Sequence, residues 1–384
     1  MAITLVTKPD YYIRAYDTNT AYYKISSTKT TELNFRFVLK LYGPTNNYLA
    51  TIKLTSDSSG YGYYNPTSYI NSFLTSNVNI NSNILTDCTS SYGLYTLQFG
   101  EEYGDPIVTY SGLTSDVRFY YNGCQIFEDY DTLYNNNYWV AKTGITTGHF
   151  LTPTNKFYLD LREKMWLYWI NSNLSGDTYF VFRFYYQGTN TDVTVYTYQS
   201  NIDKMYSVGV GPANLVSGST PTNWDYYTID IEEPSSSPSI SGYTIYNTYK
   251  CNYNDFTSVY WLNEHGGWSN FLFNKKKYNE YKVTRNTYEK FLNYGYTNQQ
   301  RGLTQFRTDV EQTISLNTDW LNDYQNLLIK SLFMSPDVRI YENGTLIPYM
   351  VVDTEYNERS TTYDGKYQYQ VKLTPANKKV IQYG

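Results

Sequence analysis

Alternation of apolar and polar residues with a period of two is what most restricts how this chain can fold. Leu33, Phe35, Phe37, Leu39 and Leu41 fall on one side of an extended segment, while Asn34, Arg36 and Lys40 fall on the other. Successive side chains of a strand point to opposite faces, so the pattern predicts a strand with one packed face. Gly43-Pro44-Thr45-Asn46-Asn47 supplies turn residues, and Ile52 and Leu54 then resume the alternation, which predicts a hairpin.

The same signature recurs along the chain. Asn122-Gly123 lies between Arg118–Tyr121 and Cys124–Phe127 and reads as a type I′ turn, because both central positions of that turn need positive φ. Two tyrosine-rich runs, Tyr179–Tyr186 and Asp192–Tyr198, flank a turn at Gln187–Thr191. Asn343-Gly344 joins Val338–Tyr341 to Leu346–Val352, and Asp364-Gly365 precedes a run in which Tyr367, Tyr369, Val371 and Leu373 alternate with polar residues. Hairpins at this spacing predict antiparallel sandwich-like domains.

Two segments read as helical. Asn65-Pro66 opens the first, with Tyr69, Ile70, Phe73 and Leu74 as its expected inner stripe. The second is expected to be capped by Asn317 or Thr318. It carries Trp320, Leu321, Tyr324, Leu327, Leu328, Leu332 and Phe333 at three- and four-residue spacing and stops at Ser335-Pro336. It should pack on the sheet made by the last two hairpins, and a buried Trp320 would make its truncation severe.

The fold class expected is therefore mainly β, with antiparallel β-sandwich-like domains and a C-terminal α+β module. The run Glu232-Glu233-Pro234-Ser235-Ser236-Ser237-Pro238-Ser239 buries little and reads as a linker. The expected organisation is an N-terminal β-rich domain over 1–145, a sandwich-like domain over 146–232, a linker over 233–240 and the α+β domain over 241–384.

Composition enters through tyrosine, 48 of 384 residues against 17 Phe and 7 Trp. Tyrosine suits half-buried pleated faces and contact surfaces, having a large apolar ring with an end that tolerates water. AT-rich codon bias raises Tyr and Asn together and explains the excess equally well. Residues 240–384 carry 16 Lys and Arg against 14 Asp and Glu, and the rest carries 14 against 21. Opposite signs favour head-to-tail stacking of copies, although salt screens exposed charges beyond ~8 Å. No segment is basic enough for a nucleic-acid reader, and Lys275-Lys276-Lys277 reads as a solvated loop.

Cys88, Cys124 and Cys251 are odd in number and far apart, which argues against a disulfide framework or a cysteine metal clip. The N-terminal residues do not read as a signal peptide, and no run of ~18 apolar residues is present to span a bilayer. Synthesis in a reducing cytoplasm is expected.

The search for chemistry yields no catalytic, cofactor-binding or metal-binding residue. His149 reads as a loop or strand-edge residue. His265-Gly266-Gly267 has the letters of a hydrolase oxyanion loop, but no Gly-x-Ser-x-Gly elbow accompanies it, so a glycine turn between two strands is the expectation. Gly209-Val210-Gly211-Pro212 lacks the third glycine of a dinucleotide loop and reads as a turn. Glu128, Asp129 and Asp131 lack the rest of a calcium loop. Asn173-Leu174-Ser175 and Asn343-Gly344-Thr345 match glycosylation acceptors by letter alone. A glycosidase carboxylate pair is neither indicated nor excluded.

Three strings carry a resemblance. One is Phe150-Leu151-Thr152-Pro153-Thr154-Asn155, with Trp166-Leu167-Tyr168-Trp169 and the aromatic strand from Tyr179. The second is Val259-Tyr260-Trp261-Leu262-Asn263-Glu264-His265-Gly266-Gly267-Trp268. The third runs from Arg301-Gly302 through Asp309-Val310-Glu311, Leu316-Asn317-Thr318-Asp319-Trp320-Leu321 and Ser335-Pro336-Asp337-Val338 to Pro348, Asp353-Thr354 and Pro375-Ala376-Asn377-Lys378. Over roughly 150–384 the chain resembles virion structural proteins of tailed phages of Bacteroidetes hosts, including crAss-like phages.

The resemblance implies a virion protein of the tail or neck, made in the host bacterial cytoplasm. It would be a non-enzymatic ring or collar component, homo-oligomeric with twelve copies matching a portal and neighbouring tail, portal or collar proteins as partners. No sequence-specific nucleic-acid contact, cofactor or membrane is implied, and whether DNA passes through a lumen is left open. The alternative is a tail adhesin whose exposed aromatics stack on host polysaccharide; the trimeric shaft repeats that such fibres use are not seen in the sequence.

Overall fold

A computed structural model describes residues 3–16, 21–75, 78, 85–124, 140–141, 149–172, 176–215, 221, 223–232, 240–248, 256–292, 294–300, 302–352, 359–360, 366–377 and 379–381. The protein is mainly β, 58% strand and 7% helix, with several antiparallel sheets. It divides into two units, one of residues 1–248 with 263–269 and one of 249–262 with 270–384.

The first unit begins with β1 (Ile3–Thr7), β2 (Tyr12–Tyr16), β3 (Tyr23–Ser27), β4 (Arg36–Tyr42), β5 (Tyr48–Leu54), β6 (Tyr61–Tyr64), β7 (Thr86–Asp87), β8 (Tyr92–Tyr103) and β9 (Val108–Cys124). The order β1-β3-β6 forms one sheet and β2-β9-β8-β4-β5 another. Phe37, Leu39 and Leu41 are fully buried, so the alternation in β4 sets its packed face. They join Tyr23, Ile25, Leu97 and Phe99 in one core. Asn46, at φ +58°, turns β4 into β5.

The unit continues with β10 (Val140–Ala141), β11 (Lys156–Leu159), β12 (Trp166–Asn171), β13 (Gly176–Tyr186), β14 (Thr189–Ser200), β15 (Lys204–Gly209), β16 (Tyr226–Glu232) and β17 (Ile240–Asn247). Here the sheets are β10-β12-β15-β7 and β11-β17-β16-β13-β14. Trp169 lies in the core they share, against Phe150, Phe180 and Tyr206. Strand β7 comes from the first half of the chain yet pairs with β15, and Lys204 binds Asp87 across that pair at 2.5 Å. That exchange makes 1–145 and 146–232 parts of one unit with two cores. The flanks of the expected linker, β16 and β17, are hydrogen-bonded neighbours. The stretch 233–239 therefore connects strands of one sheet, and the division between units falls after Thr248.

The second unit holds β18 (Thr257–Leu262), β19 (Trp268–Phe273), β20 (Tyr278–Glu289), β21 (Leu303–Asn317), β22 (Val338–Glu342), β23 (Thr345–Val351), β24 (Arg359–Ser360), β25 (Tyr367–Gln368), β26 (Gln370–Pro375) and β27 (Lys379–Ile381). Their main sheet has the order β19-β18-β22-β23-β26-β21-β20, with β27 also on β21. Gln187-Gly188 and Asn343-Gly344 have positive φ at both positions and close the β13–β14 and β22–β23 hairpins as type I′ turns demand. The Asp364-Gly365 turn lies outside the described residues.

Helices are few. Helix α1 (Thr67–Ile70) starts one residue later than expected, with Pro66 and not Asn65 at its N-cap; the Asn65 side chain accepts the Thr67 N–H at 2.9 Å. Its inner side is Thr67 and Ile70, followed by Leu74; Tyr69 and Phe73 are exposed, contrary to the expected stripe. Helix α2 (Asp323–Phe333) starts later than expected. Asn322 caps it in a reciprocal box with Gln325, whereas Asn317 ends β21 and Thr318 is buried in bonds to Tyr369. Asn322 wins because its side chain reaches the Gln325 N–H while the Gln325 amide returns to its own N–H. Leu328, Ile329 and Leu332 pack on Val338, Ile340, Val371 and Leu373, as expected of a helix on that sheet. Trp320 precedes the helix and is 53% exposed, so its expected burial does not hold.

One hairpin is absent. Strand β9 runs straight through Asn122 and Gly123. The Asn122 N–H is held by the Ser91 carbonyl and the Cys124 N–H by that of Glu264, both at 2.9 Å. A Cβ at Gly123 would meet the Arg14 side chain at 3.1 Å, so this glycine admits a neighbour and does not reverse the chain.

Candidate interaction face

The outer face of the sheet β11-β17-β16-β13-β14 carries a row of tyrosines. Phe180, Phe182, Phe184, Tyr227, Ile229 and Ile245 take the core side of these strands. Strand alternation then sends Tyr185, Tyr226, Tyr246 and Tyr158 outward. Register aligns them: Tyr185 opposes Tyr226, Tyr226 opposes Tyr246, and Tyr246 opposes Tyr158. Ring centroids are 4.7, 5.6 and 5.0 Å apart along the row, with interplanar angles of 13°, 41° and 14°. Each such contact is worth ~0.5–1.5 kcal/mol beyond area burial. All four rings are half-buried, so the row is both braced and accessible.

Charge lies beside it. Arg183 on β13 binds Asp230 through one guanidinium nitrogen and Glu232 through the other, the latter at 2.7 Å. Burial raises the Asp230 pKa, a shift that Arg183 opposes, and the hydrogen bond that Arg183 donates to Glu232 raises the Arg183 pKa. On the adjacent edge strand, Val193 and Val195 are exposed. Aromatic, aliphatic and paired-charge surface together form a face suited to protein contact. Stacking within the Tyr185–Tyr226 and Tyr246–Tyr158 pairs covers one face of each ring, which reduces the ring face left for a sugar to lie on.

His149, expected as a loop or strand-edge residue, and His265, expected in a glycine turn, lie close enough to interact electrostatically. The Tyr243 hydroxyl accepts the Phe150 N–H at 3.0 Å and lies 3.3 Å from His149 Nδ1. His265 is 5% exposed. Burial first, then Arg14 and His149, push its pKa down to about 3, so it is neutral at pH 7.

The surrounding turn is built on Asn263. Its Oδ1 accepts the N–H groups of His265 and Gly267 at 2.9 and 3.2 Å, and its Nδ2 donates to the Leu151 carbonyl and Ser269 Oγ at 3.0 and 2.9 Å. That exhausts the amide's capacity. The Gly266 N–H goes to the Asn263 carbonyl at 3.0 Å. The N–H groups that an oxyanion loop would aim at substrate are thus consumed inside the turn. As expected, His265-Gly266-Gly267 is a glycine turn between two strands, with Gly266 at φ +91°.

Gly209 ends β15, and Asn214 from the following turn accepts the Met165 N–H at 2.7 Å, which gives the Gly209–Pro212 run a structural task. Glu128, Asp129, Asp131 and Asn173 lie outside the described residues, and Asn343 serves its hairpin. Among the described residues no three His, Cys, Asp or Glu side chains gather as metal ligands, and no helix is long and apolar enough to cross a membrane. Sequence reading missed the tyrosine row: its members lie on four strands, and only register brings them together. No protein-family model matches the sequence, and no curated protein is significantly similar to it.

Proposed function

We propose that this protein is a structural component of a tailed-phage virion, a ring or collar subunit that assembles with its own copies and with neighbouring tail or neck proteins. The observation that carries the reading is the stacked row Tyr158–Tyr246–Tyr226–Tyr185, with the Arg183–Asp230–Glu232 network beside it. Such a face offers large, pre-ordered contact area at little entropy, which suits a rigid subunit held between others. The quoted strings supply the phage context. The adhesin reading draws less support, because stacking within the row reduces the ring face left to a glycan.

Antibody labelling of purified particles tests the assignment. Labels confined to the neck or tail are expected. Absence of the chain from mature particles, or turnover of a glycan or nucleotide by the purified protein, would overturn it.

A further inference from the structure

Strand β20 lies at an edge of the second unit's sheet and, among the described residues, pairs only with β21. Edge strands usually bury one face, but here every residue from Tyr278 to Glu289 except Asn286 is exposed. Both faces of a twelve-residue strand are therefore bare, including Tyr278, Tyr281, Val283 and Tyr288. Natural edges are commonly blunted by charged side chains, by proline, by brevity or by a bulge. This strand carries Glu280, Lys282, Arg285 and Glu289 but no proline, and its one irregularity with β21 falls on the partner. Asn286 faces Arg307 and Thr287 faces Gln305, which leaves Phe306 as the extra residue on β21. The outward edge of β20 is thus regular along its length.

Its charges fit a second β20. In a two-fold antiparallel pair every residue meets a partner of the same parity, since opposed side chains share a face. Centred on Val283, such a pair places Val283 on Val283, Tyr278 on Tyr288, Glu280 on Asn286 and Lys277 on Glu289. It also sets Tyr281 against Arg285, a cation–ring pairing. Each unlike pair occurs twice, and no like charges meet within the strand. Just beyond its ends Lys276 faces Lys290, but Lys276 already lies over the Tyr278 ring of its own chain at 5.5 Å. Other registers carry their own conflicts. Centring on Lys282 or Arg285 opposes that residue with itself, centring on Tyr281 pairs Glu280 with Lys282 but sets Lys277 against Arg285, and centring on Thr284 leaves every charge of the strand without an opposite.

We propose that β20 is a docking edge to which a second copy of this chain adds its own β20, antiparallel and two-fold, centred on Val283. The contact is isologous and so differs from the heterologous contact a ring requires. It does not rest on the virion reading.

Single cysteines in the full chain test it, under mild oxidation with the parent as baseline. Val283→Cys places two thiols directly opposite, within disulfide reach, and most of the protein should become covalent dimer on a non-reducing gel. Tyr281→Cys alone should give none, because its copies stand about 13 Å apart along the pair. A mixture of Tyr281→Cys and Arg285→Cys chains should cross-link. Monomeric Val283→Cys, or dimers from Tyr281→Cys alone as abundant as those from Val283→Cys, would overturn the proposal. Multi-copy assemblies without these cross-links would overturn it while leaving the virion reading intact; cross-links in a protein missing from particles would do the reverse.

Discussion

A Cβ on Gly266 would lie 1.3 Å from the backbone carbonyl oxygen of Asn122. Gly266 also sits at φ +91°, a conformation side chains resist. Two independent constraints thus fix glycine at one position of the turn that encloses His265. Gly266→Ala should destabilise the first unit by about 3 kcal/mol or more, from backbone strain and overpacking together. Urea unfolding monitored by tryptophan fluorescence checks this, and a variant as stable as the parent would show that the turn does not pack on β9.

Neutral His265 gives the first unit a pH dependence. Its folded pKa, about 3, is below the ordinary 6.5. Below pH 6.5 the unfolded chain takes up a proton that the folded chain refuses, so stability is complete above 6.5 and declines as pH falls toward 3. At pH 5 the loss from this group is ~2 kcal/mol. Comparison of parent and His265→Gln unfolding at pH 7.5 and 5.0 isolates it; the parent should lose about 2 kcal/mol more than the variant. Equal losses would mean that the imidazole is protonated or exposed in the folded state.

Two tryptophans of the second unit should behave oppositely. Trp261 is fully buried and donates from Nε1 to Ser331 Oγ at 2.7 Å, tying β18 to α2. Trp261→Ala should cost ~3–5 kcal/mol. Trp320 is 53% exposed, and Trp320→Ala should stay within ~0.5 kcal/mol of the parent. Thermal melts of both variants suffice, and a reversed order would reject the placement of α2.

The cap of α2 is worth a separate test. Asn322 Oδ1 accepts the Gln325 N–H at 3.0 Å, and the Gln325 side chain accepts the Asn322 N–H at 3.2 Å. Asn322→Ala should cost ~1 kcal/mol, and Thr318→Ser, which keeps the hydroxyl outside the helix, distinctly less. An Asn322→Ala variant as stable as the parent would show that Asn322 does not cap the helix.

Local signals were legible where local physics decides. The glycine-bearing turns at Gly188 and Gly344, the packed face of β4 and the contact of α2 with the last hairpins all follow from spacing and turn chemistry. Asn122-Gly123 misled because its letters suit a type I′ turn, while Arg14, Ser91 and Glu264, distant in sequence, hold it extended. Trp320 misled because helical spacing extends past the true cap at Asn322. The tyrosine row was illegible in principle: Tyr158 and Tyr246 are 88 positions apart, and a shift of one residue in register would send one of them into the core. The same holds for the 116 positions between His149 and His265.

In the proposed assembly the outer tyrosine row joins copies of this chain. Light scattering on the parent and on the Tyr226→Ser/Tyr246→Ser double variant, with circular dichroism to confirm that both are folded, tests it most directly. The parent should form assemblies of several chains, and the variant should fall to smaller species with its sheets intact. A parent that stays monomeric at tens of micromolar, or a folded variant that assembles as the parent does, would contradict the claim.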